Sequence, residues 1–282
     1  MPKHIRPRRS ILYVPGDKPR AIEKARTLPC DGIIFDLEDA VAPEAKEIAR
    51  QTITEAVRAG GYGRRELILR VNGVASDWLA DDCALAAALA VDGVLIPKVE
   101  DEGAVRHIEA LVPDKAIWCM IETPLGVLRA GQIGGASDRL AGFVAGTNDL
   151  AKELRARHTP DRAPLLTSLS LILLAARAHG LAAIDGVHLG LDDPEGFEAS
   201  CRQGVELGFD GKTVVHPSTI EPANRIFGPS AEEVGKARAI VAAWAQARAE
   251  GKGVARIEGA MVEQLHVDEA QRLIDLADQI GG

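Results

Sequence analysis

The chain has 282 residues, 46% hydrophobic and 26% charged, with a net charge of −8. That composition supports a sizeable folded core and argues against general affinity for nucleic acid. No apolar run reaches the roughly 18 residues of a membrane span, and the basic first ten residues run straight into a strand pattern, so neither a membrane segment nor a secretory leader is expected.

Strand-like runs begin near Ile11, Ile33, Leu67, Val94, Ile117, Gly142, Ala183 and Thr213. Between them lie the amphipathic stretches Lys18–Thr27, Pro43–Ala59, Trp78–Ala90, Asp101–Leu111, Leu165–His179 and Pro194–Leu207. Pro43-Glu44 and Asp193-Pro194-Glu195 read as helix starts, with proline near the first helical position and acids in the first turn. Strict alternation of strand and helix predicts a parallel sheet, and eight units predict a closed (β/α)8 TIM barrel over residues 1–228. The remainder, 229–282, reads as a C-terminal helical extension or lid within the same domain. It holds a long Ala-rich helix at Ser230–Glu250, a glycine break, a short apolar stretch at Val254–Ile257 and a last helix at Asp268–Ile280. The four cysteines, Cys30, Cys83, Cys119 and Cys201, are widely spaced with no C-x-x-C pair. They predict small buried, reduced side chains, as in a cytoplasmic protein.

The chemistry is written at the strand ends. Asp36, Glu38 and Asp39 follow Ile33–Phe35, Arg70 and Asn72 close the third run, and Lys98 and Glu100 close the fourth. Glu122 follows the fifth, Asp149 the sixth, and Lys212 and His216 flank Val214–Val215. A charge at the end of a buried strand is costly unless it faces a shared polar cleft, and such ends converge at one face of a barrel. Glu122 and Asp149 suit a hard divalent cation, since Mg²⁺ takes one or two carboxylates and keeps positions for substrate; a structural salt-bridging role is the alternative. Asp36, Glu38 and Asp39 repel one another unless cations lie close, and Asp39 also reads as a helix-start acid. Arg70 can fork onto a substrate carboxylate or pair with one of these acids. Lys98 reads as an ion-pairing or phosphate-contacting lysine, and nothing near it suggests the lowered pKa of a Schiff-base amine. Gly211-Lys212-Thr213 is not a P-loop, because Glu206 stands where the motif needs glycine. His188 and His216 are isolated, and a structural role is expected for each.

Read together, Arg9-Ser10-x-Leu12-x-Val14-Pro15-Gly16, Asp36-Leu37-Glu38-Asp39-Ala40-Val41, Arg70-Val71-Asn72, Pro97-Lys98-Val99-Glu100, Ile121-Glu122-Thr123, Gly146-Thr147-Asn148-Asp149-Leu150, Ala183-Ile184-Asp185-Gly186-Val187 and Gly208-Phe209-Asp210-Gly211-Lys212 with His216-Pro217 resemble the citrate lyase beta subunit family of acyl-CoA lyases and aldolases. The resemblance covers nearly the whole chain. It implies a Mg²⁺-dependent barrel, usually a homotrimer, with Glu122 and Asp149 as metal ligands, Glu38 and Asp39 on metal-bound water, and Arg70 on the carboxylate of an oxaloacetate-like product. Gly146, Thr147, Asn148 and Lys98 would meet substrate. The family's C-terminal Gly-x-Met-x-Asp segment, which reaches a neighbouring subunit's site, appears as Gly259-Ala260-Met261-Val262-Glu263, with Glu263 one methylene longer than the aspartate.

The implied reaction is C–C cleavage of a 3-hydroxy-acyl thioester of citryl, malyl or citramalyl type. The products are a 2-keto acid such as oxaloacetate or pyruvate and an acetyl thioester, with Glu263 as the acid that quenches the enolate. The carrier is CoA or a protein-bound pantetheine. Arg8, Arg9, Lys18 and Arg20 form a basic group expected to meet CoA phosphates. The alternatives are thioester hydrolysis or condensation on the same scaffold, and a subunit active only with an acyl-carrier protein.

Overall fold

Parallel strands covered on both faces read as near-continuous apolar runs, and the runs of this chain form such a sheet. The computed structural model describes residues 6–251, 253–257 and 260–281. Its elements are β1 Ser10–Pro15, α1 Pro19–Ala25, β2 Gly32–Asp36, α2 Lys46–Ala59, β3 Glu66–Arg70, α3 Leu79–Ala88, β4 Gly93–Ile96, α4 Glu102–Leu111, β5 Ala116–Ile121, α5 Pro124–Gly134 and β6 Leu140–Ala145. There follow α6 Thr147–Glu153, α7 Leu166–Ala178, β7 Ala182–Asp185, α8 Pro194–Leu207, β8 Gly211–Val214, α9 Ile220–Phe227, α10 Ala231–Ala249, β9 Ala255–Ile257, β10 Ala260–Val262 and α11 Gln264–Gly281.

Strands β1 to β8 make a closed parallel barrel. Closure pairs Ser10 with Lys212 and Leu12 with Val214. Alternate side chains of a strand face opposite ways, so each strand feeds two cores. Ile11, Ile34, Ile68, Leu95, Trp118, Met120, Val144 and Ile184 fill the inside. Their neighbours, such as Leu12, Ile33, Leu69, Val94, Cys119 and Phe143, pack in the outer core with helix residues such as Ile53, Val105 and Ile172. All four cysteines are buried thiols. No helix among the described residues is long and apolar enough to cross a membrane.

Helix starts follow local chemistry. The side chains of Asp101, Thr123 and Asp193 accept from the backbone amides of Ala104, Gly126 and Gly196 and so cap α4, α5 and α8. Helices α5, α6 and α9 were not visible as periodic patterns. Glycines at 126, 131 and 134 dilute α5, and α6 has only 7 residues, too few to show a 3.6-residue period.

Residues 8–227 form one unit, and the segment from 228 onward belongs to a second. In the second unit Ser230 and Glu233 make a reciprocal capping box at the start of α10. The apolar stretch near 254–257 is one arm of an antiparallel hairpin, with Met261 opposite Arg256 and Val262 opposite Ala255. Ala247, Ala255, Val262 and Val267 are buried together there, packed with Trp244 and Ile240. Helix α11 begins at Gln264, four residues before the expected start. Gly259 lies outside the described residues.

Candidate active site

Four of the polar residues at or just after strand ends, Asp36, Arg70, Glu122 and Asp149, converge on one cavity. A cavity of about 150 Å³ is lined by Tyr13, Asp36, Arg70, Met120, Glu122, Gly146, Thr147, Asn148, Asp149 and Thr213, among others. It lies at the C-terminal ends of the strands, the end of a (β/α)8 barrel where active sites are built.

Glu122 follows β5 and is 1% exposed. Its Oε1 accepts from the Lys98 backbone amide at 2.8 Å. Lys98 sits in the left-handed region, at φ 51°, a conformation that costs a non-glycine residue energy and turns its amide onto Glu122. Burial pushes the Glu122 carboxyl up to about 7, the Lys98 amide offsets part of this, and Asp149 pushes it further up. Asp149 lies in the first turn of α6, so it lines the cavity from a helix rather than from the strand end itself. A buried carboxylate with a second one beside it is an arrangement that a cation would relieve, and the all-oxygen donors suit Mg²⁺. Among the described residues no group of three or more His, Cys, Asp or Glu could hold a metal. Mg²⁺ does not require such a group, since it takes one or two carboxylates and keeps waters.

Gly146 makes room for Glu122. A Cβ at that position would overlap both Oε2 and Cβ of Glu122. Gly146→Ala is therefore expected to displace Glu122 and weaken Mg²⁺ binding by about 10- to 100-fold. This is checked by titrating Mg²⁺ against thermal stability. Wild-type affinity in the variant would show that Glu122 does not face this glycine in the working site.

Arg70 is buried at the end of β3. Its Nε and Nη2 donate to Asp36 Oδ1 and Oδ2 at 2.7 and 2.6 Å, and Nη1 lies 2.8 Å from Glu38 Oε2. The fork is thus closed on Asp36, so a substrate carboxylate cannot take it bidentately while that pair holds. Glu38 is also bound by Lys98 Nζ at 2.6 Å. Burial raises its carboxyl above the usual range, against the pull of Arg70 and Lys98. Asp39 is 57% exposed and stands 3.9 Å from Arg70 and 3.7 Å from Lys98. Thr147 and Asn148 line the cavity beside Asp149.

Two expectations are corrected by position. Arg9 lies just before β1, where it clasps Asp31 through Nε and Nη2, each at 2.8 Å. Arg8 pairs with Glu66 at 2.6 Å and covers the Trp118 ring. Both are at the opposite end of β1 from exposed Lys18 and Arg20, roughly 20 Å along a six-residue strand, so the four residues do not form one basic group. Lys212 does not face the cleft. It points outward from β8, fully buried, and donates to Asp185 Oδ2 at 2.8 Å. His216 accepts from the Ser218 amide and caps a short turn, the structural role expected of it. His188 packs edge-on against Phe197.

Tyr13 and Lys46 help build the site without standing at a polar strand end. Tyr13 stands at an unspecified position of the first motif, although the inward register of Ile11 places it inside the barrel two residues on. Lys46, from α2, donates to the carbonyls of Leu37 and Glu38 at 2.6 and 2.8 Å and to Asn72 Oδ1 at 2.8 Å, clamping the loop that presents Glu38.

A family profile described as HpcH/HpaI aldolase/citrate lyase matches residues 9–217. A (3S)-malyl-CoA thioesterase of Cereibacter sphaeroides is 47% identical over 280 residues, covering 99% of this chain and 98% of that protein. A citrate lyase subunit beta of Leuconostoc mesenteroides is 35% identical, covering 96% of this chain and 93% of that protein. Among solved structures, CitE of Mycobacterium tuberculosis in complex with magnesium, acetoacetate and coenzyme A superposes with a TM-score of 0.77 at 30% identity, covering 95% of this chain and 97% of that one.

Proposed function

We propose that this chain, which belongs to the HpcH/HpaI aldolase/citrate lyase family, is a Mg²⁺-dependent hydrolase of a malyl-type CoA thioester. The observation that carries the reading is buried Glu122 together with half-buried Asp149 at the wall of a cavity of about 150 Å³. That space is well below the roughly 300–1,000 Å³ of sites that enclose a drug-sized ligand, so it suits a short acyl group and leaves the carrier outside. The choice of hydrolysis is supported by the 47% identity to a (3S)-malyl-CoA thioesterase over almost the full length of both proteins.

In this reading Glu122 and Asp149 hold Mg²⁺, which when bound would supply Lewis-acid polarisation of a substrate oxygen. Arg70, fixed in place by Asp36 and Glu38, orients the acyl group, and its positive charge favours an anionic one. Thr147 and Asn148 shape the wall next to the metal ligands. Lys98 holds Glu38 through its side chain and Glu122 through its amide, coupling the two acids in one rigid turn. Lys18 and Arg20, without Arg9, remain proposed contacts for CoA phosphates.

The deciding assay supplies malyl-, citramalyl- and citryl-CoA with Mg²⁺ and measures free thiol and 2-keto acid separately. Thiol release without keto acid is the expected result. Keto acid release with acetyl-CoA would establish the second reading, C–C cleavage, which the 35% identity to a citrate lyase subunit beta supports. Turnover of none of the three would defeat both.

Glu263 belongs to the second unit, just before α11, and is exposed. If it supplies the proton that cleavage of the C–C bond requires, Glu263→Gln lowers lyase turnover about 10²- to 10⁴-fold while thiol release is less affected. Equal loss of both activities would assign it a role in substrate binding instead. The homotrimer that the resemblance implies is checked by the mass of the protein in solution.

A further inference from the structure

The five N–H bonds of Arg70 are nearly all committed. Two hold Asp36, one faces Glu38 at 2.8 Å, and Nη1 also approaches the thioether of Met120, at 3.7 Å. The phenol of Tyr13 is directed at the same sulfur, with Oη 3.6 Å from Sδ. The guanidinium lies over the Tyr13 ring, 5.1 Å from its centroid, so the two donors are held side by side. A thioether is a weak acceptor. Two strong donors therefore converge on one poor partner, and all three residues line the cavity.

We propose that the Tyr13 phenol is a second donor at the carboxylate site that the resemblance assigns to Arg70, with the ligand's oxygens replacing the Met120 thioether as the acceptor of both. This rests on the reading that an acyl group bearing a carboxylate enters the cavity. Because the fork of Arg70 is closed on Asp36, the arginine alone offers a ligand too few N–H groups to fix its orientation. The phenol supplies what is missing, and O–H to carboxylate bonds are among the stronger ones in proteins. Burial raises the Tyr13 pKa, which keeps the phenol protonated and able to donate. Such a pair also discriminates. An acyl thioester lacking the carboxylate would leave both donors on sulfur, and sites built around a polar group reject analogues that lack it.

The test is isothermal titration of pyruvate, in saturating Mg²⁺, into the wild type, Tyr13→Phe and Met120→Leu. Phenylalanine fits the apolar barrel interior, so its melting temperature should match the wild type. The expected result is a Kd for pyruvate raised about tenfold to a hundredfold in Tyr13→Phe, the scale of one hydrogen bond to a charged group. Met120→Leu should stay within about threefold of wild type, because the sulfur only parks the donors. With the malyl-type thioester, Tyr13→Phe should raise KM more than it lowers kcat, since the carboxylate is held before and during reaction.

Affinity of Tyr13→Phe within twofold of wild type overturns the subsite. So does an equal loss in Tyr13→Phe and Met120→Leu, which would make cavity shape the determinant, and so does a wild type that binds no pyruvate. Pyruvate binding that depends on Tyr13, in a protein that turns over no thioester, would instead keep the subsite and defeat the proposed reaction.

Discussion

Glu122→Gln is expected to lower Mg²⁺-dependent thioester turnover by at least about 10³-fold without unfolding the barrel. The carboxamide keeps an oxygen to accept from the Lys98 amide, now 2.8 Å from Glu122 Oε1, so the turn at Lys98 should persist. What is lost is the negative charge. In the free protein that charge is a cost, since Glu122 is 1% exposed and burial together with Asp149 pushes its carboxyl up to about 7. The metal-free variant should therefore melt at or above the wild-type temperature. Added Mg²⁺ should raise the wild-type melting temperature, because a ligand that binds only the native state stabilises it, and should leave the variant unmoved. A variant retaining a tenth of the activity, or the full Mg²⁺ shift, would remove Glu122 from the metal site.

The second large effect concerns stability alone. Asp185, at the end of β7, is 0% exposed and accepts from Lys212, which is also 0% exposed, at 2.8 Å and from Arg162 at 2.8 Å. Asp185→Asn leaves a buried ammonium without its counter-ion, a change that costs about 3–5 kcal/mol. For a chain of this size that is a fall in melting temperature of roughly 10 °C. Arg162 keeps Gln203 Oε1 at 2.7 Å and the Ser200 carbonyl at 3.3 Å, so Lys212 is the group left stranded. The double variant Asp185→Asn/Lys212→Met should recover most of the loss, since uncharged neighbours of similar volume tolerate burial. The sign with pH follows from Asp185 itself. Burial raises its pKa, but Lys212 and Arg162 outweigh burial and hold it below the usual range. The contribution is complete above the unfolded value near 3.9 and is lost as pH falls through the lower folded value. Wild type and Asp185→Asn should thus converge only below about pH 4. Chemical denaturation of the three proteins at neutral and acid pH checks both statements. A single variant as stable as the wild type at pH 7 would show that the pair contributes nothing.

Lys212 shows where a strand-end pattern misleads. A charge closing a buried strand announces that a partner exists, but not on which side of the sheet. With Ile184 inside the barrel, its neighbour Asp185 must face outward, and Lys212 beside it on β8 completes an ion pair beneath α8. Arg70 and Glu122 end their strands with the opposite parity. They follow the inward residues Ile68 and Met120 by two positions, so they face the cavity. Counting by twos from a known inward residue separates these cases, but only once the register and the closure of the barrel are known.

The order of strands and helices, the TIM barrel and the family were readable in the chain itself, because apolar runs, turn residues and motif spacing are local properties and every one of the eight strands starts within two residues of its expected position. That Arg70 and Glu122 close their strands and Asp149 follows the sixth was readable for the same reason. The rest depended on which residues meet across the barrel. Folding put Tyr13 and Met120 from β1 and β5 against Arg70, closed Arg70 on Asp36 from the neighbouring strand, and brought Lys46 from α2 onto Asn72. Each of these is a contact between residues distant in sequence. Their partners are chosen by strand order and register, and no local pattern carries that information.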